Sequence, residues 1–152
     1  MPLDAVIFDY GNTLVSTRLD WARIIPASLR DLRALLEKEL HSIVDGKRLG
    51  RDFLFLRSAA KARARRQWLE TRATQSLKTA LALQGLDQVS DDLLDRAIEA
   101  FFRAEEQTYP IILGMPEVLA SLKAMGLKLG LLSNATSASL VRRALENRKM
   151  LH

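Results

Sequence analysis

Two short polar clusters, each directly behind an apolar run, carry the residues best placed for chemistry. The first is Asp9 with Gly11, Asn12 and Thr13, in LDAVIFDYGNTLV at residues 3–15. The second is Ser133-Asn134, in LKLGLLSNAT at residues 127–136. Leu3, Ala5, Val6, Ile7 and Phe8 form an apolar run with β-branched members, which stops at a carboxylate and turns through Gly11 and Asn12. Such a run, bounded by turn residues, is the pattern of a parallel strand buried on both faces. Open α/β sheets bind ligands just past the carboxyl ends of their strands, so Asp9 is a candidate for carboxylate chemistry. Successive amides of the turn after it can form an anion-binding concavity. A plainer reading competes at each position. Asp, Gly and Asn are ordinary turn formers, and a serine behind a strand is often the N-cap of the next helix.

The segments between the two clusters read as helices. Pro26 then Ser28 open one, with Ser28 as N-cap, and Leu29, Leu32, Leu36, Leu40 and Ile43 give it an apolar stripe that Asp45-Gly46 closes. Residues 51–84 read as a second, with Phe53, Leu56, Ala60, Ala64, Trp68, Leu77, Ala80 and Leu81 on its buried side, stopped by Gly85. Ser90 starts a third, with Leu93, Leu94, Ala97, Ile98, Phe101 and Phe102 at helical spacing, and Pro110 ends it. Pro116 suits the first turn of a helix whose apolar face is Val118, Leu119 and Leu122, ended by Gly126. Leu127 to Leu132 form the second strand, and a last helix carries Leu140, Val141, Ala144 and Leu145.

The expected fold is therefore α/β, two strands of one parallel sheet with an all-helical insert between them; the family resemblance described below implies a partial Rossmann-like parallel core with that insert as its cap. Residues 1–15 and 109–152 make the core and 16–108 the insert. A right-handed crossover puts helix 116–125 on one face of the sheet and brings Ser133 beside Asp9.

At 152 residues the chain can bury a real core. Its apolar and charged fractions, 48% and 27%, are those of a globular protein. No cysteine is present, which removes disulfides, thiolate metal sites and cysteine catalysis. No apolar run spans a bilayer and no export signal is visible, so the expected setting is the cytoplasm, without a membrane partner. The net charge of +5 is local in origin. Residues 47–78 hold ten lysines and arginines, Arg63, Arg65 and Arg66 among them, against Asp52 and Glu70 alone. This stretch could draw phosphorylated ligands or nucleic acid. A solvated helix face is the simpler expectation, so nucleic acid is not an expected partner. His41, among charged neighbours on a helix, reads as a surface histidine.

FDYGNTLV resembles the first motif of the haloacid dehalogenase-like hydrolase superfamily, a hydrophobic strand ending in an aspartate-led turn. LKLGLLSNAT is similar to its second motif, and YPIILGMPEVLASLKAMG to the helix before it. The resemblance implies an aspartate nucleophile, here Asp9, that attacks phosphorus or an activated carbon and forms an aspartyl ester. It implies phosphate ligation by Thr13, Ser133 and Asn134. It also implies Mg²⁺ held by the Asp9 carboxylate and the Gly11 carbonyl. The expected activity is a phosphatase-type hydrolase acting on a small phosphorylated metabolite. A metal-free 2-haloacid dehalogenase, or a non-catalytic module using the basic stretch, are the alternatives.

Two departures accompany the resemblance. Phosphatases of the family carry a second aspartate, a general acid and base, where Gly11 stands. Their third motif, a lysine or arginine, and their fourth, acidic magnesium ligands, lie beyond the second, whereas this sequence ends at His152. Truncation of a longer gene product is the expectation that follows, and whether this chain is active alone stays open at the sequence level. An open sheet edge that invites pairing with another chain, a homo-oligomer included, is also expected.

Overall fold

The computed structural model describes residues 3–68 and 70–150. In chain order the elements are β1 (Ala5–Phe8), α1 (Trp21–Leu40), α2 (Gly46–Gln67), α3 (Ala73–Ala82), α4 (Asp91–Thr108), α5 (Met115–Ala124), β2 (Lys128–Leu131) and α6 (Ala138–Asn147). β1 and β2 form a two-stranded parallel sheet, with Ala5, Val6, Ile7 and Phe8 opposite Lys128, Leu129, Gly130 and Leu131. Parallel strands need a long crossover. Here it contains α1 to α5, so an all-helical insert stands inside an α/β core. α5 lies beside β2.

The chain divides into two compact units, Met1–Trp21 with Glu105–His152, and Ala22–Ala104. The first holds both strands. Its core is Tyr10, Leu14, Val15, Tyr109, Val141, Ala144 and Leu145, with Phe8, Met115 and Leu119 packed against them. The second is helical. Leu32 and Leu36 of α1, Phe53 of α2, Leu77 and Leu81 of α3, and Leu94, Ala97 and Phe101 of α4 meet in one apolar centre. The Phe53 and Phe101 rings pack edge to face, centroids 5.1 Å apart.

Several elements differ from the sequence expectation, each for a local reason. α1 begins at Trp21 and encloses Pro26, because Ile24 and Ser28 are buried as part of one continuous face. Ser28 is therefore inside the helix and caps nothing. α1 stops at Leu40, followed by exposed His41 at φ 48°, and Ile43 leaves the apolar stripe at 91% exposure. Asp45 opens α2 where it was expected to close α1: its carboxylate accepts the Lys47 and Arg48 amides, both at 3.0 Å.

The expected 51–84 helix is two helices. Trp68 turns left-handed at φ 56° while its amide still bonds to the Ala64 carbonyl, which ends α2, and α3 starts at Ala73. Trp68 is 92% exposed instead of buried. β1 is not buried on both faces either, since Ile7 is 70% exposed; on β2's side Leu132 is 74% exposed. α5 has no fully buried residue. Ser90, by contrast, caps α4 as expected, its hydroxyl accepting the Leu93 amide at 3.2 Å. Gly85 and Gly126 take the positive φ that suits the residue just past a helix's carboxyl end, and Gly114 takes it at the N-cap of α5.

Candidate active site

The parallel register fixes where the two polar clusters go. Phe8 pairs with Leu131, and the Leu132 amide donates to the Phe8 carbonyl at 2.9 Å. Asp9 and Ser133 therefore leave the same, carboxyl ends of adjacent strands. Asp9 and Asn134 are exposed, and Thr13 and Ser133 half-buried. Among the described residues no side chain of these four has a hydrogen-bond or ion-pair partner.

The loop after Asp9 is closed by its own backbone. The Tyr10 carbonyl accepts the amides of Thr13 (3.4 Å), Leu14 (2.9 Å) and Val15 (3.2 Å), and the Asn12 amide donates to Val15 at 2.6 Å. Asn12 sits at φ 61°, a conformation asparagine tolerates. Its side-chain oxygen accepts the Thr17 amide at 3.1 Å and the Thr17 hydroxyl at 2.8 Å. The amides of residues 12–15 are thus taken up inside the turn, and the anion-binding concavity expected from them is not formed by those groups. Val15 continues the closure by bridging Ile111.

Beneath the loop lies a polar network that the sequence analysis missed. The Tyr10 ring is buried, and its hydroxyl donates to Glu106 Oε2 at 3.0 Å. The Tyr109 ring meets it edge-on at 6.1 Å, and the Tyr109 hydroxyl donates to Glu105. Arg148 donates through Nη2 to the Glu106 and Tyr109 carbonyls and through Nη1 to the Ala144 carbonyl, all at 2.9 Å. Burial, then the Glu106 charge, pushes the Tyr10 hydroxyl well above the ordinary phenol range. Burial, then the bond to Glu105, does the same to Tyr109. Glu106 is raised above the usual carboxylate range, chiefly by burial. Tyr10 and Tyr109 are separated by 99 positions, so no spacing signal announced the network.

Ser133 also lines a concavity of about 410 Å³, with Leu131, Ala135, Ala138, Val141, Arg142 and Leu145. Asp9 is not among its walls. Arg142, which the sequence analysis did not single out, is the charged side chain among those lining residues, and it stands nine residues past Ser133 on the helix that Ser137 caps.

The donors for a metal are few. Asp9 supplies one carboxylate, and the Gly11–Val15 bridge runs through the Tyr10 carbonyl and Asn12 amide, using neither the amide nor the carbonyl of Gly11. Among the described residues no group of three or more His, Cys, Asp or Glu side chains could hold an ion. Mg²⁺ demands six oxygens in near-ideal octahedral geometry. One carboxylate and one carbonyl do not make that set.

A family profile for haloacid dehalogenase-like hydrolases matches residues 3–149, from the first strand to the last helix. The chain belongs to that family. A solved structure titled as a crystal structure analysis of a dehalogenase is similar at 17% identity, over 99% of this chain and 60% of its own, with a TM-score of 0.41. This chain thus spans about three fifths of that protein's length. Comparison with curated proteins finds no match. Among the described residues no helix is long and apolar enough to cross a membrane.

Proposed function

We propose that the chain carries the nucleophile half of a phosphatase-type active site, with Asp9 as nucleophile and Ser133, Asn134 and Thr13 as ligands of the phosphoryl oxygens. The observation that supports this reading is the register, which brings an unpartnered carboxylate and an unpartnered hydroxyl to the same edge of one sheet. An Asp9 oxygen attacks phosphorus, the bond from phosphorus to the leaving oxygen breaks, and an aspartyl phosphate forms. Water then attacks phosphorus, the bond to Asp9 breaks, and inorganic phosphate leaves. The Ser133 hydroxyl and the Asn134 amide donate to oxygens whose charge grows in each transition state. Arg142, on the wall shared with Ser133, supplies a cation toward the same anion.

Gly11 offers no side chain to protonate the leaving oxygen. A positioned general acid contributes about 10²–10⁴-fold. Substrates whose leaving group departs without a proton, such as aryl or acyl phosphates, are therefore the ones this site turns over. If magnesium binds, Asp9 and the Gly11 carbonyl are its protein donors, and its remaining positions must come from elsewhere.

A second reading uses the same residues. In a 2-haloacid dehalogenase Asp9 displaces halide from carbon and Ser133-Asn134 hold the substrate, and a donor set too small for Mg²⁺ suits that chemistry. Assays on p-nitrophenyl phosphate and 2-chloropropionate, each with and without Mg²⁺, separate the two. Release of p-nitrophenol, lost in Asp9→Asn, supports the phosphatase reading, whereas release of chloride without p-nitrophenol overturns it.

A further inference from the structure

We propose that the carboxyl-terminal half of α2 and the Trp68 that ends it are a docking site for single-stranded nucleic acid. The inference is independent of the Asp9 site.

From Lys61 to Trp68 every residue except half-buried Ala64 is exposed, so this part of the helix presents its whole circumference to solvent. It carries Lys61, Arg63, Arg65 and Arg66, and Arg72 follows. Between Asp52 and Asp87 the sequence has one acidic residue, Glu70. Among the described residues the fold sets no carboxylate against these cations. Several other cations of this unit are matched: Arg33 with Glu37 at 2.9 Å, Arg96 with Glu39 and Asp92 at 2.9 Å each, and Arg48 and Arg51 with Asp52. Among the described residues Lys61, Arg63, Arg65 and Arg66 have no ion-pair partner. Four unmatched cations within two helical turns raise a local positive potential that a polyanion would complement.

Trp68 makes the choice of polyanion. A tryptophan exposed to 92% is unusual, and it is held there by a left-handed backbone whose amide is tied to the Ala64 carbonyl at 2.8 Å. An indole presented on a fixed backbone beside cations is a platform on which an unpaired base can stack. An anionic lipid surface is the weaker match. Interfacial helices need a broad apolar face, and the exposed tail offers Ala62 and one indole.

The test is fluorescence anisotropy of a labelled single-stranded oligonucleotide titrated with the full chain. For single strands the salt slope is about −0.7 per neutralised phosphate, so four cations give about −2.8 and roughly a 50-fold loss of affinity between ~50 and ~200 mM salt. Replacing Arg63, Arg65 and Arg66 with glutamine should remove most of that slope, and with glutamate should abolish binding. The glutamine set guards against fraying, because cations stabilise a helix C-terminus. Trp68→Ala should weaken binding by about 5- to 150-fold. Asp9→Asn should bind as the wild type does. Absence of binding at ~50 mM salt overturns the proposal. So does binding unaffected by Trp68→Ala, tighter binding to phosphatidylserine vesicles, or a slope unchanged in the glutamine variant.

Discussion

Tyr10→Phe probes the network beneath the nucleophile loop with the smallest possible change. The ring is buried and its shape is kept, so no cavity forms, and what disappears is the 3.0 Å bond from the hydroxyl to Glu106. Hydrogen bonds to charged partners contribute about 1.5–3 kcal/mol. Glu106 is only half-buried and water can replace the lost donor in part, so the low end applies, about 1.5 kcal/mol. For a chain of this length that is a fall in Tm of about 3–6 °C. Calorimetry at neutral pH measures it, and Glu106→Gln supplies the cycle. In that background Tyr10→Phe should cost about 1 kcal/mol less, because the charged acceptor is gone. The folded-state pKa of Glu106 is raised, so its contribution is fully present below the ordinary carboxylate value and is lost as pH rises through the raised one. The bond from Tyr10 lowers that pKa, so Tyr10→Phe should move the loss to higher pH. A Tm within about 1 °C of wild type, or equal costs in both backgrounds, would refute the reasoning.

Other expectations follow from separate parts of the fold. Tyr10 and Tyr109 are the only tyrosines, and both hydroxyls are raised; native protein at a pH of about 11 should therefore show almost no tyrosinate absorbance until urea is added. By the same linkage, stability is fully present below the ordinary phenol pKa and falls as pH climbs above it, and a native titration near the ordinary value would contradict the burial. Phe53→Ala, at a fully buried ring in contact with Phe101, should cost about 3–5 kcal/mol in urea unfolding. Asp45→Ala should cost about 1 kcal/mol by removing the cap of α2, and Asp45→Asn should recover most of it. Gly11→Asp places a carboxylate two residues past Asp9, where its Cβ meets Thr17 Cγ2 at 3.2 Å and Thr17 must give slightly. If the missing acid limits turnover, alkyl phosphate hydrolysis should rise by about 10²-fold or more while p-nitrophenyl phosphate changes little.

The sheet and the helices with local punctuation were legible in the sequence. Ser90, Gly85 and Gly126 act through backbone groups one to four residues away, and a sequence shows such neighbours directly. The strand pair was legible because two short apolar runs were each bounded by polar turn residues, the pattern of a strand. α1 was misjudged because proline favours a first turn, yet burial of Ile24 and Ser28 carries the helix back past Pro26. The break at Trp68 gave no warning, since bulky residues rarely adopt positive φ. The Tyr10–Glu106–Arg148 network and the wall that Ser133 shares with Arg142 arise from tertiary packing.

Acid-quenched mass spectrometry of the peptide containing Asp9, after incubation with acetyl phosphate, tests the nucleophile assignment most directly. One phosphoryl group on Asp9 is expected, absent in Asp9→Asn and diminished in Ser133→Ala. A phosphoryl group on another residue, or p-nitrophenol release retained in Asp9→Asn, would contradict it.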